Sequence, residues 1–188
     1  ITIEGEGNHA GATLMGDRRD PMVAAGKIVV AVQALAQETA EARATVGRLV
    51  PTPGGTNVIA SRIDLWVDVR HRDDTVVHAL VERIKRAADE LAAGEGCSSR
   101  VVEESYSGTV DFDGSLRDDL AQVLGGVPVL GTGAGHDAGI LKEHVRTAMI
   151  FVRNPTGVSH SPHEQVEDSD AEAGAEALAD SLEFLLAN

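Results

Sequence analysis

The order of strand and helix signals over the first 107 residues constrains the fold more than any other feature of this chain. One helix is predicted to begin at Asp20-Pro21 and another at Asp73-Asp74, because Asp is a good N-cap and Pro suits the first helical position. Around them, the apolar patterning predicts strands at 1–5, 45–50, 58–69 and 100–107. The order β-α-β-β-α-β is that of the split βαβ or ferredoxin-like motif. We therefore expect a four-stranded antiparallel sheet with two helices on one face.

The pattern changes after about residue 113, where short apolar runs alternate with helical periodicity. Val127–Leu130 and Thr147–Val152 are apolar enough to predict short, buried strands of the parallel type. Two such strands do not make a stable sheet alone. We therefore expect an α/β class with two domains, residues 1–113 and the C-terminal portion of an α/β domain at 114–188. The helices predicted there are Ser115–Leu124, capped by Ser115, then Ala138–Glu143 and Ser169–Leu186.

Charge and composition exclude several classes of protein. The formal net charge of −14 argues against nucleic acid or an anionic membrane as a partner, since both need a basic surface. No apolar run is long enough to span a membrane, and no signal peptide is visible. The single cysteine, Cys97, excludes an internal disulfide framework and is compatible with the cytoplasm. Because Ile1 lies inside a predicted strand and is not preceded by Met, we expect a fragment or a processed product.

Five short segments combine small residues with side chains that carry chemistry, and four of the five contain a His. Each side chain also has a simpler interpretation. His9 could donate a hydrogen bond to a developing oxyanion, or could cap a turn. His160 follows a predicted buried strand, where α/β proteins place their sites, and imidazole binds divalent metals, although a loop His is more often only solvated. The segments are Gly7–Met15 with Arg18-Arg19-Asp20, then Gly54–Val58, Asp68–His71, Gly133–Ala138 and Gly157–Pro162.

Two further side chains suit a small anionic substrate. Asn57 offers a donor and an acceptor, or simply serves its turn. Arg70 suits the bidentate binding of a carboxylate, or forms a surface ion pair with Asp68 or Asp73. The glycine turn at 133–135 is not a P-loop, because no Lys-Ser/Thr pair follows it.

Taken in order, these segments resemble the second half of the M20-type metallo-amidohydrolases that cleave ureido groups. That branch includes allantoate amidohydrolases, N-carbamoyl-L-amino-acid hydrolases and β-ureidopropionases. The resemblance covers essentially all 188 residues. Leu14 stands where the family usually has Pro, and Gly131-Thr132 also departs from the common pattern, but neither change removes a functional group.

The resemblance implies a role for each candidate residue. His9 would polarise the scissile carbonyl in the active site of a partner subunit, so a homodimer through the small domain is expected. Asn57 and Arg70 would bind the carboxylate end of a ureido acid. Gly135 and His136 would line the substrate pocket, with Asp137 near the metals or acting as a helix cap. His160 would be a ligand of a two-metal centre of zinc or manganese, whereas His163 matches no family ligand and is expected to be exposed.

The resemblance also implies that this chain is not sufficient for catalysis. By that resemblance, the His-x-Asp pair and the Glu-Glu pair that supply most metal ligands and the general base belong to the first half of the family, which this chain does not match. The chain alone is therefore expected to be inactive. Two alternatives stay open at the level of sequence: a dimerisation or binding module without catalysis, and a fragment of an M20 peptidase or deacylase.

Overall fold

A computed structural model describes residues 1–187 of the chain, which form two compact units. The first unit is Ile1–Thr109, and the second begins at Val110. The interpretation of the first as a dimerisation domain, and of the second as a portion of a catalytic domain, stays a prediction. Within the described residues, no helix has the length and apolar character needed to cross a bilayer.

The first unit contains the predicted four-stranded antiparallel sheet. Its strand order is β3-β5-β1-β6, with a separate two-stranded pairing of β2 with β4. The longest pairing joins β3 to β5, with Arg43 opposite Arg70 at one end and Thr52 opposite Arg62 at the other. The elements are β1 (Thr2–Glu4), β2 (Asn8–His9), α1 (Pro21–Gln37), β3 (Arg43–Thr52), β4 (Val58–Ile59), β5 (Arg62–Arg70), α2 (Asp74–Gly94) and β6 (Ser98–Arg100).

Both helices pack on the same face of this sheet. Alternate residues of β5, including Ile63 and Leu65, are buried because successive side chains on a strand point to opposite faces. The helices begin where their N-caps were predicted: the carboxylates of Asp20 and Asp73 accept hydrogen bonds from the N–H groups of Met22 and Thr75. The buried residues that complete this core are Ile3, Ala24, Ala25, Ile28, Val32, Ala36, Ala60, Leu80, Ile84, Ala88 and Ala92.

Two predicted strands of this unit differ from those observed. The strand expected at 58–69 is divided into β4 and β5, and at the break Ser61 donates its N–H to Thr52 O at 2.9 Å. The strand expected at 100–107 is instead β6, Ser98–Arg100. Its partner β1 begins at Thr2, which lies opposite Arg100, so the residues that follow have no strand to pair with. The division of the predicted 58–69 strand matters because β4 pairs with β2 in a separate two-stranded sheet, whereas β5 belongs to the four-stranded sheet.

The second unit contains three helices, α3 (Gly114–Val123), α4 (Asp137–Leu141) and α5 (Asp168–Ala187). These match the predicted helices closely, with one correction at the start of α3. Its N-cap is Asp113 and not Ser115, since the Asp113 carboxylate accepts the Leu116 N–H at 2.8 Å. The Ser115 hydroxyl donates to the same carboxylate at 2.7 Å. These bonds hold the pKa of Asp113 at about 2.

The prediction of buried strands at 127–130 and 147–152 was wrong for this structure. Neither segment is a strand, and Val129, Leu130, Phe151 and Val152 are exposed. A strand needs a neighbour for its backbone N–H and C=O groups. Within the residues that the structure describes, no strand lies in the second unit to act as that neighbour.

Candidate functional site

His9 lies at the end of β2, on an exposed loop whose backbone is closely held. The pairing of β2 with β4 places His9 opposite Val58. The carbonyl of His9 accepts hydrogen bonds from the N–H groups of Ala12 and Thr13, both at 3.1 Å, and from the Thr13 hydroxyl at 2.9 Å. The Asn8 side-chain oxygen accepts the His9 N–H at 2.8 Å. The loop therefore fixes the point from which the imidazole projects.

The imidazole of His9 is held in one tautomer. Its Nδ1 accepts the backbone N–H of Gly11 at 3.1 Å. A neutral ring that accepts at Nδ1 carries its proton on Nε2. A Cβ at position 11 would lie 3.3 Å from the ring carbon Cε1, so glycine leaves space for the ring. His9 thus presents an Nε2–H donor to solvent.

Asn57 lies beside the His9 loop. It occupies the connection between β3 and β4, and its carbonyl accepts the Ala10 N–H at 3.0 Å. The two-stranded pairing of β2 with β4 is what brings these distant parts of the sequence together. His9 and Asn57 therefore lie together at one exposed site within the first unit. Both residue types are suited to binding a polar ligand.

Arg70 lies at the opposite end of β5 from this local site. The loop that carries Asn57 follows the Thr52 end of β3, opposite Arg62, whereas Arg70 lies opposite Arg43. A strand of nine residues spans about 26 Å at roughly 3.3 Å per residue. The structure therefore does not bring Arg70 together with His9 and Asn57 within one copy of the unit.

The guanidinium of Arg70 forms the surface ion pair with Asp68 that the sequence left open. Its Nε lies 2.7 Å from Asp68 Oδ1 and its Nη2 lies 2.8 Å from Oδ2. These hydrogen bonds lower the pKa of the Asp68 carboxyl and raise that of the guanidinium. Both side chains are about half exposed, at 55% and 47%. A substrate carboxylate would have to compete with Asp68 for the same donors.

In the second unit, His136 is the N-cap of α4. Its Nδ1 accepts the Ala138 N–H at 3.0 Å, so the ring again carries its proton on Nε2. The alternative of Asp137 as the cap is therefore wrong; Asp137 is the first residue of the helix. A Cβ at Gly135 would meet no atom within 4 Å, so packing inside the described chain does not require glycine there.

His160 occupies a strained loop position. Its φ is +57°, a left-handed value that costs a non-glycine residue roughly 1–3 kcal/mol. The carboxylate of Glu164 holds the turn by accepting the His160 N–H at 3.0 Å and the Ser159 hydroxyl at 3.2 Å. The ring is exposed, as is His163. The backbone is thus organised around a projecting imidazole.

One imidazole fits the role of one metal ligand and no more. Across residues 1–187, no group of three or more His, Cys, Asp and Glu side chains is arranged to hold a metal ion. Two-metal hydrolytic sites require several ligands for each ion. The described residues can therefore contribute to such a centre, but do not assemble it.

Two residues that organise these loops have no role predicted from the sequence: Arg18, which belongs to the first motif, and Glu164, which belongs to none. Arg18 binds the carbonyls of the His9 loop, and Glu164 binds the His160 turn. The basic Arg18-Arg19 pair lies close after the His9 segment, and Glu164 lies four residues after His160. Neither spacing shows which backbone atom a side chain reaches, so these contacts are seen only in the folded structure.

The chain is similar in sequence to one protein family and to several curated relatives. The model for peptidase family M20/M25/M40 matches residues 6–183. An N-carbamoyl-L-amino acid amidohydrolase of Geobacillus stearothermophilus is 35% identical over 182 residues, covering 95% of this chain and 44% of the relative. A probable allantoate deiminase of Oryza sativa subsp. japonica is 32% identical over 216 residues, covering 97% of this chain and 44% of the relative.

The fold of this chain is also similar to part of a solved structure. The crystal structure of AtUAH in complex with (S)-hydroxyglycine is similar with a TM-score of 0.94 and 26% sequence identity. The similarity covers 100% of this chain and 46% of that one. The chain thus spans somewhat less than half the length of the proteins it matches.

Proposed function

The chain belongs to the peptidase family M20/M25/M40, and on that basis we propose that it is the part of a metal-dependent amidohydrolase that helps to bind a ureido acid and cleave its ureido C–N bond. Allantoate and N-carbamoyl-L-amino acids are the substrate candidates, since relatives carry the names of enzymes for both. The observation that carries the proposal is the fixed Nε2–H donor of His9 beside Asn57.

The role proposed for His9 follows from its tautomer. Attack on a ureido carbonyl places negative charge on the carbonyl oxygen, and a pre-positioned N–H stabilises that charge without reorganisation. Nε2–H of His9 is such a donor, because the Gly11 N–H occupies Nδ1. Loss of one oxyanion donor typically lowers kcat by about 10²–10³.

Arg70 is proposed to bind the substrate carboxylate. Its planar guanidinium already binds one carboxylate in a bidentate manner, that of Asp68, which supports the chemistry. Exchange of Asp68 for a substrate carboxylate would preserve the number of hydrogen bonds. Lys in this position would lose the bidentate geometry, and we expect a rise in KM equivalent to about 1.5–3 kcal/mol.

The metal centre is proposed to take His160 as one ligand. Divalent zinc or manganese ions bound there would polarise the carbonyl and activate water. The remaining ligands would come from the part of the family's polypeptide that this chain does not cover. Gly135 and His136 are proposed to line the pocket, where the solvent-facing Nε2–H of His136 would be available to the substrate.

A homodimer is proposed because two ends of one strand carry complementary parts of the chemistry. His9 and Asn57 lie at one end of β5, and Arg70 at the other, about 26 Å away. One substrate molecule cannot reach both ends, so a site that uses all three residues takes Arg70 from one copy and His9 from another. β3 is a ten-residue edge strand, and edge strands favour pairing between copies.

A hybrid enzyme tests the proposed activity. In it, this chain replaces the matching part of the Geobacillus stearothermophilus relative. We expect hydrolysis of allantoate or of an N-carbamoyl-L-amino acid by the hybrid, but none by the 188-residue chain alone. His160→Ala should lower the metal content, whereas His9→Ala should leave it intact. A hybrid that folds, binds metal and cleaves neither substrate would instead support a binding module without catalysis.

Mixing two inactive variants of the hybrid tests the shared site. His9→Ala and Arg70→Ala lie at opposite ends of β5, so a mixed dimer contains one site with neither lesion. Random assortment should restore about a quarter of the wild-type activity. If mixed dimers form and no activity returns, the two residues do not serve one site across an interface.

A further inference from the structure

The peptide group between Ala10 and Gly11 is held at both ends. Its N–H, which belongs to Gly11, donates to Nδ1 of His9 at 3.1 Å. Its C=O, which belongs to Ala10, accepts a hydrogen bond from Nη2 of Arg18 at 2.7 Å. One planar peptide therefore links the Arg18 guanidinium to the His9 ring.

Arg18 makes a second contact with the same loop. Its Nε donates to the carbonyl of Thr13 at 3.2 Å, and Thr13 in turn donates both its N–H and its hydroxyl to the His9 carbonyl. The guanidinium is half-buried, so both of its bonds are partly protected from water. Arg18 thus joins the two ends of the loop that begins at His9.

We propose that Arg18 is the positioning residue that fixes His9 in its Nε2–H tautomer. A charged donor on the Ala10 carbonyl polarises the peptide and strengthens the hydrogen bond that its N–H makes. It also opposes rotation of the peptide plane. A rotated peptide would turn a carbonyl oxygen toward Nδ1, and that ring nitrogen would then need the proton.

His71 shows why the His9 ring depends on this contact. Its Nδ1 also accepts a backbone N–H, from Asp73 at 2.9 Å, but its Nε2 is bonded as well, to the Ala40 carbonyl at 3.1 Å. Two bonds therefore define the His71 tautomer. Within the described residues, the His9 ring makes its only hydrogen bond at Nδ1, so its tautomer depends on the Ala10–Gly11 peptide.

The importance of Arg18 for catalysis rests on the proposed function of His9, whereas its effect on the tautomer does not. The test therefore uses the 188-residue chain itself and needs no activity. The chain is labelled with ¹⁵N in its histidine rings and studied by long-range ¹H–¹⁵N NMR at about pH 8.5, where an ordinary histidine is neutral. His71 is the internal reference for the fold of the same unit.

In the wild-type chain, His9 and His71 should both show the Nε2–H pattern. Arg18→Gln should lower the ratio of Nε2–H to Nδ1–H for His9 by about tenfold, the equivalent of one charge-assisted hydrogen bond. His71 should not change. Arg19→Gln removes the same charge one residue away and should leave both rings as in the wild type.

The proposal is overturned if His9 keeps the wild-type pattern in Arg18→Gln, or if Arg19→Gln disturbs His9 equally. Should Arg18→Gln also alter His71, Arg18→Lys decides the matter. Lys keeps the charge but loses the planar pair of donors. With His71 intact, a reduced Nε2–H ratio for His9 supports the proposal, and a wild-type ratio overturns it.

Discussion

The two units of this chain use apolar residues in opposite ways. In the first unit, antiparallel strands and two helices enclose a continuous core in which Ile3, Ile63 and Ala24 are fully buried. In the second, the apolar runs at 127–130 and 147–152 are not strands, and Leu130 is 61% exposed. Both units form the helices that their sequences predict. The difference therefore lies in the long-range pairing of strands, not in local propensity.

This comparison shows what a buried-strand pattern needs. A strand that is apolar on both faces is stable only between other strands and beneath helices. β5 finds such neighbours in β1 and β3. We propose that the runs at 127–130 and 147–152 take theirs from polypeptide beyond the matched length, as the chain spans 44–46% of its relatives.

Separating the units should give the largest effect. A chain that ends at Thr109 should unfold cooperatively in urea, because it contains the whole of the core described above. A chain that begins at Val110 should show helical circular dichroism without a cooperative transition, and should bind a hydrophobic dye. Cooperative unfolding of the second unit alone would remove the distinction between them.

Matched leucine substitutions should show the same contrast within one chain. Leu65→Ala removes a side chain that is 2% exposed and should lower the free energy of unfolding by about 2–5 kcal/mol. Leu130→Ala makes the same chemical change at an exposed site and should stay within about 0.5 kcal/mol. Urea denaturation measures both. Equal losses would mean that Leu130 is buried in solution.

Helix capping should have a smaller effect. The Asp20 carboxylate accepts the Met22 N–H at 2.9 Å. Asp20→Ala should therefore destabilise the first unit by about 1 kcal/mol. Asp17→Ala, three residues earlier, removes an acid that has no capping bond to α1 and serves as the control. An equal effect of the two substitutions would indicate a general effect of charge rather than the loss of a cap.

The smallest expected effect concerns pH in the second unit. The Asp113 carboxyl has a pKa of about 2, below its ordinary 3.8, because it accepts hydrogen bonds from the Leu116 N–H, the Ser115 hydroxyl and Arg146. A lowered folded pKa stabilises α3 above pH 3.8, and this contribution is lost as the pH falls toward about 2. NMR titration of the Leu116 amide should follow this midpoint.

Substitution of the hydrogen-bond partners of Asp113 tests whether those bonds lower its pKa. Ser115→Ala and Arg146→Ala should each raise the pKa of Asp113, with the larger rise for Ser115→Ala. A midpoint near 3.8 in the wild-type chain would show that the cap is not formed. The second unit would then lack the capped start of α3 as well as its strands. The two units would therefore differ in local helix structure and not only in strand pairing.

The sequence predicted the elements that depend on neighbouring residues. The N-caps at Asp20 and Asp73 follow from short patterns, and both were found. The break between β4 and β5 was not predictable, because it depends on the pairing of β2 with β4. The candidate site divides in the same way. Motifs identified His9 and His160, but the contacts of Arg18 and Glu164 with backbone atoms carry no sequence signal.

Hydrogen exchange on the 188-residue chain tests the central claim most directly, since it compares the paired strand with the unpaired segments in one sample. The amide of Leu65, which donates to the Ile1 carbonyl at 2.8 Å, should exchange at least about a thousandfold more slowly than its intrinsic rate. The amides of 127–130 and 147–152 should exchange near their intrinsic rates. Protection of those two segments equal to that of Leu65 would contradict the account, because it would mean that they already have strand partners within this chain.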